Sequence, residues 1–413
     1  MRSETRNSFV LMCGTGATAI LGLIYTVYAA RVLGPEAYAV FGTAVSLVMM
    51  CQLALGPINE TITRFSAEYA GEGNLGKVRT LAHEVGKRIA VAGLAGLLLA
   101  LLVTKPLAGF LKFDGTGPLL AAYAMMYLTI LISIGRGVLR GVQRFGAYNR
   151  NILTEAAARL LAGIALLAWL NTVTSGLAAY VIALAITLAL SVGQLRSVWR
   201  GHERQAVDGR AVRRFTLPIF VTMITYAAFQ NLDMILVKHY FPATEAGIYG
   251  AAFALARAMA TIVTPFSTLL VPLISTLRAQ GKSVSGPFLR IVGYFSALAL
   301  LVLLIFGLFP EQVMRMFTPD YAPGSSLLLP LAAVRLIGFL SFLIALAGAA
   351  VNRFTFLWAF VPGLLLEAAV LCVWHDTLRG LIFAIMIVQG ITLAAMIVIA
   401  ATTLRTKGAD SEA

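Results

Sequence analysis

The sequence predicts an all-α membrane protein that crosses the bilayer about twelve times. Apolar residue types make up 59% of its 413 residues and charged types only 12%, against roughly 25% charged residues in an average soluble domain. The mean hydropathy is +0.87, and the apolar residues fall in runs of about 20, the length that spans a bilayer as a helix. These observations exclude an ordinary soluble enzyme, a disordered chain and a fibrous repeat.

Twelve apolar runs are long enough to be transmembrane helices. They lie at residues 9–30, 38–60, 89–111, 118–138, 153–172, 175–195, 215–237, 246–277, 290–310, 324–351, 355–374 and 379–403. The fifth and sixth runs are separated by the polar stretch 171–176, which predicts a tight turn. The first run follows Arg2 and Arg6, is too long for a signal-peptide core and lacks an Ala-x-Ala site, so we expect an uncleaved span.

The lysines and arginines predict the orientation of these spans. The loops and termini of one side hold 24 of the 32 basic residues and those of the other side hold 6, while Arg257 and Arg335 fall inside spans. The positive-inside rule therefore places both termini in the cytoplasm. This asymmetry accounts for most of the net charge of +14. Anionic membrane lipid is the expected partner of the basic side, and a nucleic-acid partner is not needed.

The chain also shows a weak internal repeat. Ala39, Phe41 and Gly42 after the first span match Gly247, Tyr249 and Gly250 after the seventh, at an offset of 208 residues. The repeat predicts two six-helix lobes, residues 1–200 and 215–413, joined by a cytoplasmic linker at 201–214. Two halves with six spans each have the same orientation, as in repeats related by an axis along the membrane normal, with substrate sites between them.

No pattern in the sequence predicts catalysis, a cofactor or a metal site. The four histidines lie in different loops, and the three cysteines lie in separate apolar runs. Residues 71–77 match most of a phosphate-binding loop, but Val78 stands where a magnesium-binding Ser or Thr is needed. We therefore expect no enzyme activity. An ion gradient or a partner would supply the energy for any transport.

Ionisable residues inside predicted spans are the candidate functional residues, because each costs about 3 kcal/mol at mid-span by insertion scales. Glu60 and Arg64, like Glu155 and Arg159, are four residues apart near the cytoplasmic side. Each pair is interpreted either as a local helix salt bridge or as charges that line a cytoplasmic-side cavity.

The second half places four more charges deep in its spans: Asp233, Arg257, Arg335 and Glu367. They either neutralise one another as buried pairs between helices, or line a hydrated cavity. In the cavity, Arg257 and Arg335 would bind an anionic head group, since a guanidinium matches a phosphate. Asp233 or Glu367 would then bind H⁺ or Na⁺, and a hinge is predicted at Pro265 in the eighth span.

The segment that begins the internal repeat resembles a known family. Residues 31–38 read RVLGPEAY, which is similar to the RxLGPxxYG signature of polysaccharide-biosynthesis flippases in the multidrug/oligosaccharidyl-lipid/polysaccharide exporter (MOP) superfamily. Segments 231–240, 245–249 and 265–275 also resemble that family, although Ala39 stands where the family often has glycine.

The resemblance implies a transporter that moves a lipid-linked oligosaccharide from the cytoplasmic to the outer leaflet of a bacterial inner membrane by alternating access. It implies coupling to H⁺ or Na⁺, and partners that include a polysaccharide polymerase and glycosyltransferases. Two alternatives stay open at this point. One is an ion-coupled multidrug/cation antiporter of the same superfamily, and the other is a non-catalytic membrane component of a polysaccharide assembly complex.

Overall fold

The computed structural model describes residues 2–199, 203, 205, 209–279, 284–350 and 353–405. Within these ranges, side chains are described outside 2–13, 209–218, 259–269 and single positions near the gaps. The described ranges are helical and contain no β-strand, which confirms the predicted all-α class.

Helices follow one another with short connections. The first unit of the chain contains α1 (Arg2–Ala54), α2 (Gly56–Gly71), α3 (Leu75–Leu102), α4 (Thr104–Phe110), α5 (Gly117–Gly141), α6 (Phe145–Leu170) and α7 (Val173–Trp199). The second half contains α8 (Gly209–Tyr240), α9 (Ala243–Ala279), α10 (Ser285–Leu308), α11 (Pro310–Met314), a 3₁₀ turn (Pro319–Gly324), α12 (Ser325–Ala350), α13 (Leu357–Val373) and α14 (Leu378–Arg405).

Each predicted span falls on one or more of these helices. Among the described residues, nine helical segments are long and apolar enough to cross a membrane, and the segment Gly14–Gly71 contains both of the first two predicted spans. Helix α13, with 17 residues, is a shorter apolar helix. The largest difference from the predicted boundaries is the third span, where α3 begins at Leu75 and ends at Leu102, before the short helix α4.

The predicted turn between the first two spans is a break at Gly34. This residue has φ 73° and ψ 171° within α1, a backbone conformation that a residue with a β-carbon rarely adopts. Pro35 follows, and its missing N–H is tolerated at the start of a helix. The Gly-Pro pair of the RVLGPEAY segment therefore ends one helix and begins the next.

The chain divides into two compact units, Met1–Ile224 and Thr225–Ala413. In the first, Tyr25 of α1 is buried and donates a hydrogen bond from its hydroxyl to the carbonyl oxygen of Gly176, 2.6 Å away. In the second, α12 packs against both α9 and α14. Most of the predicted linker 201–214 lies outside the described residues, and the predicted lobe boundaries stay a prediction.

Candidate functional site

The second unit contains a buried ion pair between Asp233 of α8 and Arg335 of α12. Each side chain is only 1% exposed, and a guanidinium nitrogen of Arg335 contacts Asp233 Oδ2. The hydroxyl of Tyr249 on α9 donates a hydrogen bond to the same oxygen at 2.5 Å. Asp233 is therefore shared by three helices, and the cation beside it is Arg335 rather than Arg257, which sequence reasoning considered because it lies on the next helix.

Further contacts hold the Arg335 guanidinium in place. Arg335 Nη1 donates to the carbonyl oxygens of Phe229 at 3.3 Å and Gln230 at 3.2 Å. Its Cζ lies 4.6 Å from the centre of the Phe253 ring, within range of a cation–π interaction. A buried charge is tolerated only with such partners, so the pair binds α8, α9 and α12 together.

Glu367 of α13 forms a second buried polar group in the same unit. Its side chain is fully buried, and Glu367 Oε2 accepts a hydrogen bond from Gln389 Nε2 on α14 at 2.9 Å. Within the part of the chain that the structure describes, Glu367 Oε1, Gln389 Oε1 and Asp233 Oδ1 accept no hydrogen bond. Buried acceptors are rarely left without a donor, and a cation or a bound proton would satisfy such oxygens.

The two buried groups lie on neighbouring parts of α12. Gly338 follows Arg335 by three residues, about one helical turn. A β-carbon at this glycine would lie 3.0 Å from Gln230 Nε2 and 3.2 Å from Gln389 Oε1. The absence of a side chain at Gly338 thus lets amides from α8 and α14 approach the helix that carries Arg335.

Arg257 has different surroundings from Arg335. It is half-buried on α9, and its Cζ lies 5.4 Å from the centre of the Phe253 ring. Phe253 thus lies beside both arginines, but Arg257 retains exposed surface whereas Arg335 does not. Helix α9 continues through Pro265, whose side chain lies outside the described residues, and the hinge there stays a prediction.

The first unit joins its charged residues between α5 and α6. Arg136 of α5 contacts Glu155 of α6, with 2.6 Å between Nη2 and Oε2, and its Nε donates to Asn151 Oδ1 at 2.8 Å. Arg159 lies 3.7 Å from the other oxygen of Glu155, as the four-residue spacing suggested, and its guanidinium lies 4.8 Å from the Tyr180 ring centre. Glu155 is therefore paired with two arginines, one of them from another helix.

Glu60 also binds an arginine of α5. Arg140 Nη2 lies 3.0 Å from Glu60 Oε1, and Arg140 Nη1 donates to Asn59 Oδ1 at 3.2 Å. The Glu60 side chain is 50% exposed, and Arg64 is exposed on the same helix. Sequence reasoning used Arg136 and Arg140 only to assign topology. Their spacing of four residues, which places both on one face of α5, was the available signal.

Comparison with known proteins places this chain in a family. The family model described as "Polysaccharide biosynthesis protein" matches residues 5–278. Because this match covers more than half of the chain, the protein belongs to that family. No curated protein matches the sequence.

Solved structures with the same fold are MATE transporters. One is a multidrug resistance MATE family transporter of the MOP superfamily in its inward-facing conformation, with a TM-score of 0.75, 12% identity and coverage of 97% of this chain and 99% of that chain. An outward-facing structure of such a transporter gives a TM-score of 0.69, 13% identity and coverage of 96% and 95%. A MATE in the bent conformation gives 0.69, 14%, 97% and 94%.

The family and the fold together define the class of protein. The chain is a multi-pass membrane protein with the two-lobed fold of MOP-superfamily transporters. At these identities the solved structures establish the fold, and the polysaccharide biosynthesis family gives the biological setting. The predicted resemblance to this superfamily is confirmed.

Proposed function

We propose that the protein is a flippase that moves a lipid-linked oligosaccharide from the cytoplasmic to the outer leaflet of a bacterial inner membrane. The family match to polysaccharide biosynthesis proteins supports the substrate class. The observation that carries the proposal is the group of buried charges in the second unit, because ionisable residues inside transmembrane helices mark substrate and ion pathways. Alternating access, cytoplasmic termini, and work alongside a polymerase and glycosyltransferases belong to the same proposal.

The head group of the substrate would bind at Arg257. Undecaprenyl pyrophosphate and related carriers present phosphates, which a guanidinium binds with two parallel hydrogen bonds. Arg257 is half-buried and retains exposed surface, whereas Arg335 is enclosed by Asp233, backbone carbonyls and Phe253. Arg335 would join the head group only in a conformation in which its pair with Asp233 opens.

This assignment is tested by translocation of a fluorescent lipid-linked oligosaccharide in proteoliposomes. Arg257→Ala should lose at least tenfold in rate, and Arg257→Lys should recover part of it, because lysine keeps the charge but not the planar fork. Arg315→Ala is the matched control, since Arg315 is 62% exposed and pairs locally with Glu311. Loss of both variants from the membrane, or full activity of Arg257→Ala, would contradict the assignment.

Ion coupling would use the carboxylates of Glu367 and Asp233. A transporter driven by a gradient needs a site whose affinity for the ion differs between its two conformations. Glu367 fits this role because it is fully buried, is hydrogen-bonded by an uncharged amide and has a second oxygen without a donor among the described residues. Asp233 would change its affinity when Arg335 moves toward or away from it.

Coupling is tested with neutral isosteres of the two acids. Glu367→Gln and Asp233→Asn should still bind substrate but should no longer accelerate when a proton or sodium gradient is imposed. Glu311→Gln, which changes a carboxylate that is 59% exposed, should keep its gradient dependence. Normal gradient-driven flipping by both Glu367→Gln and Asp233→Asn would refute the proposal for coupling and leave the substrate class untouched.

One alternative function is favoured by a specific observation. The structures that share this fold include multidrug resistance transporters, which makes an ion-coupled cation antiporter the second candidate. A site for cationic drugs favours an acidic lining, whereas Arg257 and Arg335 add positive charge to this unit. Efflux of a cationic dye by the wild-type protein, without flipping of lipid-linked oligosaccharide, would select the antiporter.

A further inference from the structure

A cavity of about 560 Å³ in the first unit lies outside all the charged groups described above. It is bordered by α6 and α7 and lined by Arg144, Ala147, Arg150, Thr154, Gly193 and Gln194, with two apolar residues of α7. The volume falls within the roughly 300–1,000 Å³ typical of small-molecule sites. None of the eight residues that line the cavity is acidic.

The two helices give the cavity a basic wall and an open wall. Arg144, Ala147, Arg150 and Thr154 are spaced by three or four residues, so they share one face at the start of α6. On α7, Gly193 supplies the space, because a β-carbon there would meet no atom within 4 Å. Two arginines therefore face a volume that protein side chains do not fill.

The polar wall of the cavity is held rigidly. Gln194 is 8% exposed, and its Nε2 donates to the carbonyl oxygen of Ala147 at 2.9 Å. Its Oε1 accepts from Asn151 Nδ2 at 3.4 Å. Hydrogen bonds thus fix the distance between α6 and α7 at the level of the cavity. A rigid site loses less entropy when a ligand binds.

The charge of the cavity is not neutralised by a neighbouring acid. Glu155, which follows Thr154, is engaged by Arg136 and Arg159. Arg150 is exposed and forms no ion pair or hydrogen bond with any residue in the ranges that the structure describes. Both cavity arginines lie on the side that the basic-residue count predicts to be cytoplasmic, where lipid phosphates are abundant.

We propose that this cavity binds the phosphate of an anionic lipid between α6 and α7. Arg150 and Arg144 would bind the phosphate oxygens through charge-assisted hydrogen bonds, and the Thr154 hydroxyl would supply a neutral donor. Acyl chains would remain in the bilayer, against the apolar exterior of the two helices. The site is distinct from the charges of the second unit, so it stands or fails independently of the transported substrate.

Two changes test the site in different ways. Arg150→Gln removes the charge of an exposed side chain and should leave the fold intact. Gly193→Leu fills the cavity without meeting a neighbouring atom at its β-carbon. Arg88→Gln, at a residue that is 78% exposed on α3, is the control for charge. Gly96→Leu, at a helical glycine that also has no neighbour within 4 Å, is the control for bulk.

The measurement is the dissociation constant of short-chain lipids for the detergent-purified protein. Dioctanoyl phosphatidylglycerol should bind more tightly than the net-neutral dioctanoyl phosphatidylcholine. Arg150→Gln and Gly193→Leu should each weaken it about tenfold or more, as expected when one charge-assisted contact is lost. The two controls should bind like the wild type.

Two further probes separate the sources of phosphate. If the same variants weaken undecaprenyl pyrophosphate and leave phosphatidylglycerol unchanged, the phosphate site holds and its ligand is the glycan carrier. Weakening of inorganic pyrophosphate alone would replace the lipid with a free anion and overturn the proposal. Unchanged affinity for every phosphate probe in both Arg150→Gln and Gly193→Leu would also overturn it.

Discussion

Replacement of one partner of the Asp233–Arg335 pair should destabilise the protein much more than replacement of both. Removal of one member of a buried ion pair costs about 3–5 kcal/mol, because the other charge stays buried without compensation. Arg335→Met leaves Asp233 with only the hydroxyl of Tyr249. Asp233→Leu leaves Arg335 with two carbonyl oxygens and the Phe253 ring. Arg335→Met should therefore lie nearer 5 kcal/mol and Asp233→Leu nearer 3 kcal/mol.

The double variant Asp233→Leu/Arg335→Met should recover most of that loss. Apolar residues of similar volume often replace a buried pair without loss of stability, so we expect the double variant within about 2 kcal/mol of the wild type. The assay is unfolding of the purified protein by increasing SDS in mixed micelles, read by far-UV circular dichroism. A single Arg335→Met variant that loses less than about 1 kcal/mol, or a double variant less stable than both singles, would refute the structural role of the pair.

The remaining predictions concern orientation and packing. Cysteine placed at Glu72, in the turn between α2 and α3, should react with a membrane-impermeant thiol reagent only from the cytoplasm, and Thr174→Cys only from outside; the reverse pattern would contradict the assigned topology. Gly163→Ala should lower the amount of folded protein, since its β-carbon would lie 2.0 Å from Tyr25 Cε2. Gly96→Ala, in open space, should not. Equal yields of the two alanine variants on size-exclusion chromatography would refute this packing.

The positions of the helices follow from the sequence because they depend on local properties. A span needs only a run of apolar residues, and the break at Gly34 follows from the Gly-Pro pair beside it. Errors arose where a helix continues past the bilayer: α3 begins at Leu75 and α6 at Phe145, both before their apolar runs. Hydropathy does not mark such extensions, because a helix in water can be polar.

Partners of buried charges depend on tertiary packing, which local spacing does not encode. Arg335 and Asp233 are 102 residues apart, and neither periodicity nor charge selects this pair over Asp233 with Arg257. Spacing of four residues did identify Glu155 and Arg159, but it gave no sign of the closer partner Arg136. Gln389 was missed because an uncharged amide in an apolar run gives no strong signal until its neighbour Glu367 is known.

Translocation by the purified wild-type protein tests the central claim most directly. The protein is reconstituted in proteoliposomes with a fluorescent undecaprenyl-pyrophosphate-linked oligosaccharide, under an imposed proton or sodium gradient, and flipping is followed by quenching with an impermeant reagent. A flippase should move the lipid-linked glycan faster than protein-free vesicles do, and faster with the gradient than without it. A rate equal to that of protein-free vesicles, together with gradient-driven transport of a cationic dye, would contradict the account.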